Sequence, residues 1–151
     1  MKVILSLVIL LLLLSCSIPR VYLIEDPLTA IQHNELGHIY ESQGRLDLAQ
    51  KEYRQAIRKE KGWAVPYFNL GNILFKMGDF EKAEEQYREA LDKDGTNPDF
   101  MNNLAYVLCE QSRYDEAQQW ISRALSVSPK KEYLDTQNRI LSGKASSSPS
   151  R

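Results

Sequence analysis

Ala49, Ala83 and Ala117 are evenly spaced, and several other sets along the chain keep the same interval. Leu36, Leu70 and Leu104 share it. Gly37 and Gly71 recur as Ala105, Tyr53 and Tyr87 as Ile121, and Ala56 and Ala90 as Ala124. A fixed period constrains a fold more tightly than composition does, because each unit must be one small supersecondary element stacked on its copies. Three units fit at 30–63, 64–97 and 98–131, without insertion or deletion.

Each unit reads as two helices. Helix A carries Leu at its seventh position and Gly or Ala at its eighth, and helix B carries Ala at the twentieth, so small side chains let the pair approach closely. Large residues fill the rest: Tyr40, Leu46, Tyr53 and Ile57, then Leu74, Phe80, Tyr87 and Leu91, then Leu108, Tyr114, Ile121 and Leu125. Gly44 and Gly78 permit a left-handed backbone between the helices, with Ser112 a weaker substitute. Asp47, Glu81 and Asp115 set negative charge at the start of each helix B, where the helix dipole favours it. Pro66, Pro98 and Pro129 fall where a missing N–H is tolerated.

With small residues at three fixed places in a 34-residue unit, the chain resembles the tetratricopeptide-repeat family. That resemblance implies an all-α fold, a right-handed superhelix of three helix-turn-helix units plus a C-terminal capping helix. The cap is expected over 132–141, where Tyr133, Leu134, Gln137, Ile140 and Leu141 follow helical spacing one residue out of repeat register. Residues 142–151 hold too little apolar surface to pack and are expected to be disordered. At the other end, Asp26 before Pro27 and Thr29 with Gln32 are competing starts for the first helix.

The first residues follow a different rule. Lys2 precedes an apolar run from Val3 to Leu14, broken only by Ser6. Such a run is too short for a bilayer core, which takes roughly 20 residues, and reads as a secretory signal segment. Its end, Leu13-Leu14-Ser15-Cys16, resembles the lipobox of bacterial lipoproteins. That resemblance implies a signal peptide over 1–15, cleavage before Cys16, acylation of Cys16 with diacylglyceryl and fatty-acyl (palmitate-like) chains, and a lipidated tether over 16–29. Two or three acyl chains anchor stably where one does not. Ser17 after the cysteine resembles lipoproteins sorted to the outer membrane, implying the periplasmic face of that membrane in a Gram-negative host.

The 19 basic and 20 acidic side chains give no basic stripe, so no nucleic-acid role is expected. Cys16 and Cys109 alone make neither a disulfide framework nor a zinc site. His33 and His38 are five apart, about 140° around a helix, and share no metal-facing stripe; His33 reads as a packing residue. Phosphate-loop, dinucleotide and zinc-protease motifs are absent, and no nucleophile accompanies a base. The chain is therefore expected to be no enzyme and to need no cofactor or metal.

What remains is the concave face that the family resemblance assigns to the A helices. Its candidate partner-binding residues are Asn34, His38, Phe68, Asn69, Asn72, Phe75, Asn102, Asn103 and Tyr106. Asparagine amides both donate and accept, so they can hold a peptide backbone, and aromatic rings can form pockets. An alternative role for Asn69 and Asn103 is to link neighbouring helices. Cochaperone repeats that clamp acidic tails carry Lys and Asn where this chain has Asn34 and His38, so that clamp is not expected. The expected function is a membrane-anchored scaffold binding an envelope-protein segment, for example in pilus or envelope-complex assembly. The alternatives are a self-associating structural lipoprotein, a homo-oligomer, and an accessory module of an envelope peptidase or export system.

Overall fold

The computed structural model describes residues 26–147. The signal segment, Cys16, the tether up to residue 25 and the last four residues lie outside the described residues. Seven helices follow one another among the described residues: α1 (Ala30–Ser42), α2 (Leu46–Lys59), α3 (Ala64–Lys76), α4 (Phe80–Lys93), α5 (Pro98–Glu110), α6 (Tyr114–Val127) and α7 (Lys131–Ser147). There is no strand among these residues. Helices α1, α3 and α5 are the A helices, and α2, α4 and α6 the B helices. Each helix packs chiefly on the next, and α7 also returns to α5. None of the seven is long and apolar enough to cross a membrane.

The small positions are where the helices meet. Ala49, Ala83, Ala117, Ala56, Ala90 and Ala124 are completely buried. A Cβ on Gly37 would stand 2.5 Å from the Tyr53 ring, and one on Gly71 would stand 2.6 Å from Tyr87. Neither glycine therefore has room for a side chain. Gly44 and Gly78 adopt positive φ in the inter-helix turns, and Ser112 does so at φ 62°, a conformation that costs a non-glycine residue about 1–2 kcal/mol.

Of the two candidate starts for α1, Thr29 forms the capping box: its hydroxyl accepts from the Gln32 amide while the Gln32 side chain accepts from the Thr29 amide. Such a cap contributes about 1 kcal/mol. Asp26 is instead a clasp. It accepts from the Leu28 amide, its Oδ2 lies 2.9 Å from His33 Nε2, and its carbonyl accepts from Lys59 Nζ. His33 is buried, with Nδ1 2.7 Å from Glu52 Oε2. The entering segment is thus fastened to both helices of the first repeat.

The C-terminal end departs from expectation. Helix α7 continues to Ser147, through part of the stretch expected to be disordered. The continuation rests on tertiary contacts: Gly143 closes against the Tyr114 ring, where a Cβ would come within 2.5 Å, and Lys144 pairs with Asp115. Its buried face is Tyr133, Thr136 and Ile140, whereas Leu134 and Leu141 are about half exposed. Phe100, Asn103 and Val107 of α5 recur as that face at an interval one residue shorter than the repeat, so α7 is an A helix of an incomplete unit, one position out of register.

Candidate functional site

The A helices line a cavity of about 390 Å³ whose walls include Asn72, Phe75, Asn102, Asn103 and Tyr106, with Glu41, Lys76, Tyr87, Glu132 and Thr136 completing it. Five of the nine candidate groove residues are therefore brought together. The pattern is periodic because one repeat length carries Asn72 onto Tyr106, and both stand on neighbouring A helices.

The other four do not line this cavity. Asn34 and Asn69 are buried, and Asn69 Nδ2 donates to Asn34 Oδ1 at 2.9 Å across the repeat boundary. Phe68 is half-buried, stacked obliquely 4.7 Å from Phe100 and 5.8 Å from Tyr87. His38 is exposed at the edge, its ring against Tyr53 and its Nε2 3.3 Å from Asn69 Nδ2.

A second amide link joins the next boundary: Asn103 Nδ2 donates to Asn72 Oδ1 at 2.9 Å, and Asn102 Nδ2 donates to Asn103 Oδ1 at 3.1 Å. The asparagines thus join helices, and those at the second boundary also line the cavity. Each such bond is worth about 1 kcal/mol when made, and more is lost if one partner is left buried alone.

The tyrosines of helix B reach through to the same face. Tyr53 donates to Glu41 and Tyr87 to Asn72, at 2.8 and 2.9 Å. Burial pushes both phenols well above their ordinary range, so both remain protonated donors. Burial also acts to raise Glu41, but the bonds from Lys76 and Tyr53 outweigh it and hold the carboxyl below the usual carboxylate range. Lys76 lies 2.6 Å from Glu41. Phe75 and Tyr106 meet edge to face at 5.4 Å, and the Arg139 guanidinium lies 5.0 Å from the Tyr106 ring centre.

Glu41, Lys76, Tyr87, Glu132 and Thr136 were not among the candidate residues. Glu41 and Lys76 occupy A-helix positions next to the candidates. Glu132 and Thr136 become visible only when α7 is aligned with the shortened interval. Cys109 is buried on α5, where burial raises its thiol above the ordinary value.

The repeats are also joined away from the cavity. Glu84 accepts from Arg88, Gln111 and Arg113, the last at 2.6 Å. Burial works to raise this carboxyl, yet those donors bring it below its ordinary value. Glu84 lies in the run Glu81-Lys82-Ala83-Glu84-Glu85, and two of its partners come from the following repeat unit.

Comparisons with known proteins agree with this architecture. A family model described as tetratricopeptide repeat matches residues 68–132, and one described as TPR repeat matches residues 37–78. No curated protein matches the sequence. Among solved structures, the first TPR domain of human RPAP3 superposes with a TM-score of 0.75 at 21% identity, covering 78% of this chain and 93% of that one. The first TPR of Spaghetti (RPAP3), bound to an HSP90 peptide, gives 0.74 at 20% identity over 77% and 93%. The TPR domain of Arabidopsis OM64 gives 0.72 at 21% over 75% and 94%. The small-residue period, the paired helices and both family matches have one meaning: residues 37–132 of this chain are built of tetratricopeptide repeats.

Proposed function

We propose that the protein is a non-enzymatic adaptor of the bacterial cell envelope, anchored through lipid on Cys16 and holding a segment of another envelope protein in its concave groove. The observation that carries the binding part is the cavity walled by Asn72, Asn102, Phe75 and Tyr106, which sets amide donors beside aromatic faces. That combination suits an extended peptide, whose backbone needs hydrogen bonds and whose side chains need apolar cover. Two similar structures are described as complexes with HSP90 and HSP70 peptides, which supports a peptide-holding role for this architecture. The signal-like run and Leu-Leu-Ser-Cys16 support the anchor. The short distance from Cys16 to the clasp at Asp26 would keep the groove close to the bilayer.

A photo-crosslinking residue at Tyr106 in the native host tests the groove. The expected result is one discrete adduct that disappears when Asn72→Ala and Asn102→Ala are combined. Adducts that form equally from the exposed Gln119 and ignore those substitutions would sink the groove reading. For the anchor, Cys16→Ser should block processing or release the protein from membranes; a normally cleaved variant that stays on the membrane would refute lipidation.

A further inference from the structure

The groove's charge balance points to the chemistry of its occupant. At the cavity wall two carboxylates, Glu41 and Glu132, stand against one cation, Lys76. Lys76 is already spent on Glu41 at 2.6 Å. Arg139, which α7 brings to the same side, is spent on Glu110 at 2.6 Å. Among the described residues, no cation at this cavity is left to meet an acidic ligand.

What is left over accepts hydrogen bonds or attracts cations. Glu132, at the cavity wall, is exposed and pairs with no cation among the described residues. Asn102, which lines the same cavity, keeps its Oδ1 buried with no donor, while its Nδ2 donates to Asn103. An orphaned buried acceptor costs about 1–3 kcal/mol, a cost that an incoming N–H would remove. Phe75 and Tyr106 line the same cavity, and Tyr106 already carries the Arg139 guanidinium near its ring. A carboxylate, an unfilled carbonyl acceptor and aromatic faces together match a side chain that has only donors and a positive charge.

Resting on the adaptor reading above, we propose that this cavity receives a lysine or arginine side chain of the partner, so that the groove selects a basic segment. The free Nδ2 of Asn72, whose Oδ1 is taken by Tyr87 and Asn103, is placed to donate to that segment's backbone carbonyl. An acidic segment would instead face Glu41 and Glu132 with no uncommitted cation to offset them.

Selection of random phage-displayed dodecapeptides on the full-length chain in mild detergent tests this, followed by fluorescence anisotropy of the tightest peptide selected. The expected peptides carry Lys or Arg at one fixed position. Replacing that residue by norleucine should weaken binding about tenfold, and Glu132→Gln about threefold or more. Because Glu132 is exposed, its substitution tests the charge without disturbing the fold, which circular dichroism would verify. Peptides with a fixed Asp or Glu, or basic peptides indifferent to Glu132→Gln, would overturn the basic-segment inference and leave the groove standing. If no peptide is selected, or the peptides ignore Asn72→Ala and Phe75→Ala, the inference and the adaptor reading fail together.

Discussion

In the first two repeats a glycine of helix A lies under a tyrosine of helix B, Gly37 under Tyr53 and Gly71 under Tyr87. In the third, the same positions hold Ala105 and Ile121, both completely buried. The pair, and not either residue, is what repeats: a larger residue on one helix is matched by a smaller one on the other. The exchange also changes the concave face. Tyr53 and Tyr87 extend hydroxyls to Glu41 and Asn72, whereas Ile121 sends none. Correspondingly, the place of Asn72 is taken in the third repeat by Tyr106, an aromatic ring where the second repeat has an amide.

The largest way to break the comparison is to remove a ring. Tyr87→Ala should cost about 4 kcal/mol, as a lower urea midpoint by circular dichroism, since it empties the space over Gly71 and orphans a bond to Asn72. Gly71→Ala should cost about 2 kcal/mol by overpacking. The double variant Gly71→Ala with Tyr87→Ile installs the third repeat's pair in the second. It should be more stable than the sum of the single changes by about 1 kcal/mol, and simple additivity would show that the two positions are not coupled.

A smaller contrast concerns the turns, where repeats one and two have glycine and repeat three has Ser112. Ser112→Gly should stabilise the chain by about 1 kcal/mol, while Gly78→Ala should destabilise it by a similar amount. The smallest expected effect sharpens the difference between the two junctions. Glu84 ties repeat two to repeat three, whereas the first repeat has Gln50 at that place. With its folded-state pKa below the unfolded value of about 4.3, Glu84 contributes fully above about pH 5 and loses that contribution as the pH falls through the folded value. Glu84→Gln should therefore cost about 1 kcal/mol or less at pH 7, and the gap from the unmodified protein should close once the pH has fallen below the folded-state value.

The repeat frame was legible because steric demands recur: a position that must be small in one unit must be small again in the next. Gly37, Gly71 and the buried alanines followed from that alone. The length of α7 was not, since Gly143 and a serine-rich tail are locally poor helix formers, held by contacts that include Tyr114 and Asp115 a whole helix away. The groove was partly legible. The family resemblance placed Asn72, Phe75 and Tyr106 on one face, but it could not tell an amide committed to a neighbour, as in Asn69, from one with bonding capacity to spare. The partners of Glu84 were hidden for the same reason, because a charge run has the same composition in either environment.

Because each helix packs chiefly on its neighbour in the chain, with α7 reaching back only as far as α5, contact order is low and no long loop has to be closed. A chain of this topology folds on the order of microseconds to milliseconds. Growth can start at any helix pair and spread by nearest-neighbour steps, and loss of structure should run inward from whichever end is released. The clasp at Asp26 and the lengthened α7 therefore act as kinetic stoppers against fraying, one at each end of the array.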